Sequence, residues 1–306
     1  MTTKMKLKLL IGVVITVAIV YYSVTSLKDL HPAALFQKNI NWWIVALSVA
    51  VYIYANYIRG LAFTHGIDKN MDRLTAFQVM GIGHAVNMVL PLHAGEGIRI
   101  VFFPADYSVR RRTELMIISA IADVVAILMI SLFSVPFSGF TDPLVLRTLR
   151  IVSLICLGLT ALLVIVVLFV PRFHKYSEEY LNLAMAKMMV WVLLSWILLL
   201  ISVWVGLISF GFPMVESIRI SLAVFAVTNI INFIPASPGA IGLFEYGTIL
   251  AMAGLGIDRT VALETSLLLH LIQYMALLPM GTVLYILALH GKYGEKLRNF
   301  FRKRRQ

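Results

Sequence analysis

The feature that most restricts this chain is a series of apolar runs of about 20 residues, the length an α-helix needs to cross a hydrocarbon core roughly 30 Å thick. Runs at about 40–58, 113–135, 146–170, 188–210 and 260–289 meet that length cleanly. At the N-terminus Lys4, Lys6 and Lys8 precede an apolar stretch reaching about Val24. It exceeds a usual signal-peptide core and no small-x-small cleavage site follows, so an uncleaved first span is expected. The chain is 60% apolar and 13% charged, with a mean hydropathy of +0.90. Water-soluble domains run nearer 45–50% apolar and about 25% charged, which excludes a pair of soluble domains. Cys156 is the single cysteine and sits in an apolar run, so neither a disulfide framework nor a cysteine metal cluster is available. A small packing residue is expected there.

Two further segments are interrupted. Leu74 to Val109 begins as an apolar helix of about 17 residues, meets Pro91 and Gly95, and resumes as a shorter stretch with Glu96 and Arg99. Ser217 to Gly256 is apolar to Ile234, breaks at Pro235, Pro238 and Gly239, and resumes through Gly242 to Glu245. Proline removes a donor and glycine loosens the backbone. Broken backbone at membrane depth survives only where protein or a wet cavity satisfies it. The expected fold is therefore all-α and polytopic, with about six full spans plus two re-entrant or broken helical hairpins in a single transmembrane domain.

Charge then orients the spans. Lys and Arg number 26 against 15 Asp and Glu, a net charge of +11 that in a soluble protein would suggest nucleic acid. In a membrane protein it marks the cytoplasmic side, and no nucleic-acid partner is expected. With the N-terminus inside and each interrupted segment returning to its starting side, the cytoplasmic stretches hold Lys4, Lys6, Lys8, Arg59, Lys69, Arg73, Arg110 to Arg112, Arg172, Lys175, Lys187 and seven cations from Lys292 to Arg305. Lys28, Lys38, Arg147, Arg150, Arg219 and Arg259 lie opposite, a split of 19 to 6. Arg99, past the break of the first interrupted segment, is the one cation assigned to neither side. A multi-pass cell-membrane protein with both termini cytoplasmic is expected, whether the hairpins go halfway or fully across. The basic tail, 290–306, either anchors to the cytoplasmic face or binds anionic lipid.

The two breaks suggest a repeat. The first enters from the cytoplasm and the second, about 144 residues on, from outside. Each places glycine four residues after proline, Pro91 to Gly95 and Pro235 to Gly239, behind a helix ending near Asn87 or Asn232. Halves of roughly 40–170 and 188–289, in opposite orientation, match the pattern of an inverted-repeat transporter with its site between the repeats.

Intramembrane ionisable groups are functional candidates because each costs at least about 2.5–3.5 kcal/mol to insert. Glu96, Arg99, Asp123, Glu245 and Glu264 fit that description. Glu96 and Arg99 share one face of the returning helix. They form either a structural ion pair closing the break or a headgroup site, with Arg99 on a phosphate and Glu96 on an amine or hydroxyl. The helix starts after Gly95 and Gly239 offer N–H groups and a positive dipole end to an anion, although tight packing explains those glycines equally. Glu245 is expected to face the same cavity. Asp123 either bonds a neighbouring helix or touches substrate. His84, His270 and Gln273 are expected to bond between helices. Tyr21, Tyr22, Trp42 and Trp43 read as interfacial anchors. His93 and Glu96 have an H-x-x-E spacing without a second histidine, so no metal is expected. No nucleotide loop, nucleophile elbow or other catalytic motif occurs, and neither a cofactor nor an enzyme activity is expected.

The stretch Pro235 to Glu245, PASPGAIGLFE, resembles the signature of the lysylphosphatidylglycerol synthase transmembrane region, also called the flippase-like domain family. There a proline-glycine-glycine run precedes a glutamate; here Ala240 replaces the second glycine. Pro91 to Arg99, PLHAGEGIR, resembles that family's other motif, in which G-E precedes an arginine by three residues. Asp123 falls where the family carries an aspartate, although Ile121 and Ala122 stand in place of its E-R pair. Larger members add a soluble aminoacyl-transfer domain. This chain ends at Gln306 without one, so no synthase activity is expected. The resemblance implies a stand-alone lipid-translocating or lipid-binding membrane protein. Its substrate would carry phosphate, as a phospholipid, glycolipid or polyprenyl phosphate. A membrane transferase or hydrolase using Glu96 or Glu245 as base, or a transporter of a small soluble solute, are the alternatives.

Overall fold

A computed structural model describes residues 39–140, 143–170, 182–232, 234 and 237–303. They form nine α-helices and, among the described residues, no strand. In chain order these are α1 (Trp42–Ala62), α2 (Arg73–Val89), α3 (Ala94–Arg99), α4 (Val109–Ser138), α5 (Pro143–Phe169), α6 (Leu183–Ser209), α7 (Met214–Ile231), α8 (Leu243–Ala253) and α9 (Arg259–Lys303). A π-helical turn, Phe63–Ile67, prolongs α1, and a 3-10 turn, Pro238–Ala240, precedes α8. The protein is an all-α polytopic membrane protein.

Helix starts follow from short polar side chains that accept the first unpaired N–H groups. Asn41 caps α1 through Trp43 and Ile44, Asp72 caps α2 through Thr75, and Asn182 caps α6 through Ala184 and Met185. Gly139, at φ 73°, lets the chain leave α4 in a left-handed turn. Trp42 and Trp43 are exposed at the start of α1, as interfacial anchors require.

Six of the described helices are long and apolar enough to cross a membrane. Five carry the runs recognised in the sequence. The sixth is α7, the first arm of the second interrupted segment, which at 18 residues has the length of a span by itself. The expected N-terminal span, including Tyr21 and Tyr22, lies outside the described residues. The basic tail is no separate element at its start, because α9 runs unbroken to Lys303.

The longest seam in the bundle is antiparallel, between α1 and α6. At its middle Ser48 and Ser202 exchange hydrogen bonds, each Oγ donating to the other's backbone carbonyl at 2.7 and 2.9 Å. Small polar residues let membrane helices approach closely while their hydroxyls bond across the seam. Gly206 continues this seam toward α9, where a Cβ would lie 2.8 Å from Leu269.

Both interrupted segments fold back on themselves. α3 runs antiparallel against α2, placing Gly95 over Gly83 and Asn87 and Arg99 over Gly83. α8 returns along α7, with Gly247 against Thr228 and Ile231. The turns share a local form: Pro91 is followed by Leu92 and His93 at φ 59° and 53°, and Pro238 by Gly239 and Ala240, both at 58°. These left-handed steps follow Pro91 and Pro238, 147 positions apart, whereas the proline-to-glycine spacing relates Pro91 to Pro235. Pro235 itself lies outside the described residues. Two consecutive left-handed residues reverse the chain more tightly than proline-glycine spacing alone implies. Each non-glycine residue held there costs roughly 1–2 kcal/mol.

Candidate functional site

The two turns meet. Gly239 lies so close to α2 that a Cβ would approach the Met88 carbonyl oxygen to 3.2 Å and the Tyr274 hydroxyl to 2.5 Å. Beside this junction a cavity of about 380 Å³ opens between α1, α4, α6, α7 and α9. Its walls carry His93, Glu96, Gly239 and Ala240 from the two hairpins. Across from them stand Arg59, Asp123 and Trp196.

Arg59 is the residue the sequence reading misplaced. On a span ending near position 58 it would flank the helix among the cytoplasmic cations. The helix instead runs to Ala62 and its π-helical extension to Ile67, which draws Arg59 into the bundle. There it is 4% exposed. Its guanidinium stacks 4.1 Å above the Trp196 ring, with Nε 3.3 Å from Ser195 Oγ and 3.5 Å from Asp123 Oδ1. Trp196 Nε1 donates to that same carboxylate oxygen at 3.1 Å. Burying a cation costs several kcal/mol unless charge and hydrogen bonds repay it. A stacked indole contributes up to about 2 kcal/mol when desolvated. Arg59 Nη2 nevertheless has no partner. Asp123, expected either to bond a neighbouring helix or to touch substrate, does the first and also lines the cavity.

On the opposite wall Glu96 accepts from Arg99 Nη1 at 2.6 Å and from Asn87 Nδ2 at 3.2 Å. Its side chain is 38% exposed, whereas that of Arg99 is 5% exposed. Arg99 crosses Gly83, where a Cβ would lie 2.2 Å from its Nε, and is not part of the cavity wall. The ion pair weighed in the sequence is therefore formed, with the carboxylate toward the cavity and the guanidinium behind it. Arg99 Nε and Nη2 have no partner.

Near the helix starts beyond the breaks, three N–H groups have partners within the protein. Gly95 N–H donates to Asn87 Oδ1 at 2.7 Å and Glu96 N–H to the His93 carbonyl at 3.0 Å. Gly242 N–H donates to Glu245 Oε2 at 2.6 Å. Gly95 serves close packing: a Cβ would fall 2.0 Å from the Gly83 carbonyl oxygen.

Glu245 is buried and does not line the cavity. It points instead to α9, where His270 Nδ1 lies 2.5 Å from its Oε1 and His270 Nε2 lies 2.8 Å from the Gly239 carbonyl oxygen. His270 is thus an interhelical partner as expected. So is His84, whose Nδ1 is 2.6 Å from Asn56 Oδ1 on α1. Gln273 lines the cavity, as does Asn232, whose buried Oδ1 has no partner. Glu264 is buried on α9. Among the described residues no cluster of three His, Cys, Asp or Glu side chains is placed to hold a metal.

The cavity therefore presents one stacked guanidinium, carboxylates on two sides and neutral amides between them. Such a surface can receive a charged group in either sense and surround it with hydrogen bonds. The family model for the lysylphosphatidylglycerol synthase TM region matches residues 9–281. No curated protein and no solved structure matches the chain.

Proposed function

The chain belongs to the lysylphosphatidylglycerol synthase TM region family, and from that premise we propose that it moves a phosphate-bearing lipid across the membrane through this cavity. The observation that carries the reading is a cavity walled by both interrupted hairpins and holding a buried guanidinium with an unpartnered nitrogen. Arg59, stacked on Trp196, takes the phosphate. Glu96, held by Asn87, and Asn232 elsewhere on the cavity wall take hydroxyl or ammonium donors of the same headgroup. The acyl or prenyl tails stay in the bilayer. Arg99 acts through Glu96, holding its carboxylate toward the cavity. The protein works in the cell membrane with both termini cytoplasmic, and its hairpins are the breaks of an inverted repeat.

Reconstitution into liposomes with a headgroup-labelled phospholipid tests this. Removing a charged hydrogen-bond partner costs about 1.5–3 kcal/mol. Arg59→Gln and Glu96→Gln are therefore expected to slow translocation about tenfold to a hundredfold when equal amounts of folded protein are compared. Translocation at the parental rate in both variants would sink the assignment. The lipid recovered afterwards is expected at unchanged mass; a changed mass would mean a transferase or hydrolase.

A further inference from the structure

Behind the cavity wall at Gly239 lies a second site, fitted to a proton. His270 Nε2 faces the Gly239 carbonyl oxygen at 2.8 Å. A carbonyl has no hydrogen to give, so Nε2 carries one. Nδ1 meanwhile lies 2.5 Å from Glu245 Oε1. If that imidazole is neutral and the carboxylate ionised, two lone pairs confront each other. One further proton therefore sits between them, on either atom. In both arrangements the pair carries no net charge, the form cheapest to bury.

That proton closes a chain of contacts. Glu245 Oε2 accepts from Gly242 N–H at 2.6 Å, so the pair grips the second turn at Gly239 and at Gly242. Tyr274, one helical turn beyond His270, stacks against it with ring centroids 5.0 Å apart. The Tyr274 hydroxyl donates to the Met88 carbonyl at 3.4 Å, on the first hairpin. We propose that the His270–Glu245 pair binds a proton that latches the second break onto the first, and that losing it frees residues 237–242 from Met88. Among the described residues, Glu245 from α8 and Tyr274 from α9 are the ionisable groups in direct contact with His270. Glu264 lies six positions earlier on α9. Arg59 from α1, His84 and Glu96 from the first hairpin and Asp123 from α4 face the cavity beyond. Coupling of this proton to lipid movement rests on the function proposed above; the latch does not.

Hydrogen–deuterium exchange of the purified full chain, without added lipid, across about pH 5–9 reads the latch. After correction for intrinsic exchange, one bound proton predicts that exchange of the amides of 237 and 239–242 rises about tenfold per pH unit between the titration of the open pair and that of the latched pair. In Glu245→Gln the amide donates to Nδ1 and accepts from Gly242 without any proton. That variant is expected to stay slow at every pH. His270→Ala is expected to be fast at every pH. A flat wild-type profile, or a Glu245→Gln profile that still follows pH as the wild type does, overturns the proposal. These two decide the matter even where the alanine variant does not fold. A flat profile leaves the lipid reading standing, whereas parental translocation in both Arg59→Gln and Glu96→Gln sinks that reading and leaves the latch intact.

Discussion

Gly95 and Gly97 sit two residues apart in the same six-residue helix and meet different surroundings. A methyl group at Gly95 would collide with the Gly83 carbonyl and Asn87, both of which hold the first hairpin closed; at Gly97 it would meet nothing within 4 Å. Overpacking typically costs about 1–3 kcal/mol. Replacing an exposed helical glycine by alanine gains about 0.8–1 kcal/mol. Gly95→Ala is therefore expected to lower the melting temperature in detergent and Gly97→Ala to hold or raise it. The reverse order would mean that α3 does not pack on α2 as described. The sequence motif around these residues marked a break and named Glu96 and Arg99, and both are where a paired reading puts them. It did not mark Arg59, because a cation one turn from a helix end looks like any flanking charge. Trp196 and Asp123, far away in sequence, are what make it a buried one, and only the three-dimensional packing brings them together. The signal that was available is the unbroken apolar run beyond Arg59, which continues through Phe63.

The two hairpins were legible as elements because proline and glycine interrupt otherwise apolar helices, but their register was not. Spacing paired Pro91 with Pro235; the left-handed steps pair Pro91 with Pro238. A dihedral pattern has no sequence signature where leucine, histidine and alanine occupy positions that favour glycine. The strain at those residues is itself testable. Ala240→Gly relieves a positive φ of 58° and is expected to stabilise the fold by about 1 kcal/mol, less the entropy glycine brings to the unfolded chain. Chemical denaturation in detergent measures it. A destabilisation comparable to a core truncation would show that the methyl group, not the backbone, matters there. Strain concentrated at both turns, beside the cavity, fits segments that change conformation in the proposed transport cycle.

At the scale of the whole molecule the charge asymmetry predicts which way the bundle faces. Moving Arg59 into the interior removes one cation from the count expected to be cytoplasmic but leaves the asymmetry intact, since Lys69, Arg73 and the Arg110–Arg112 run still outweigh the opposite loops. Positive loops are retained in the cytoplasm during insertion, so the loop between α1 and α2 is expected inside and the start of α5 outside. Cys156 is the one native thiol, and Cys156→Ser provides a background without cysteine. In that background, Lys69→Cys is expected to resist a membrane-impermeant thiol reagent applied to intact cells, and Arg147→Cys to react with it. Both sites become reactive once the membrane is opened, which controls for burial. The opposite labelling would invert the topology. The cavity and its contacts would survive that inversion, because they depend on packing alone. What would change is the side from which each hairpin enters, and with it the side from which a headgroup reaches Arg59.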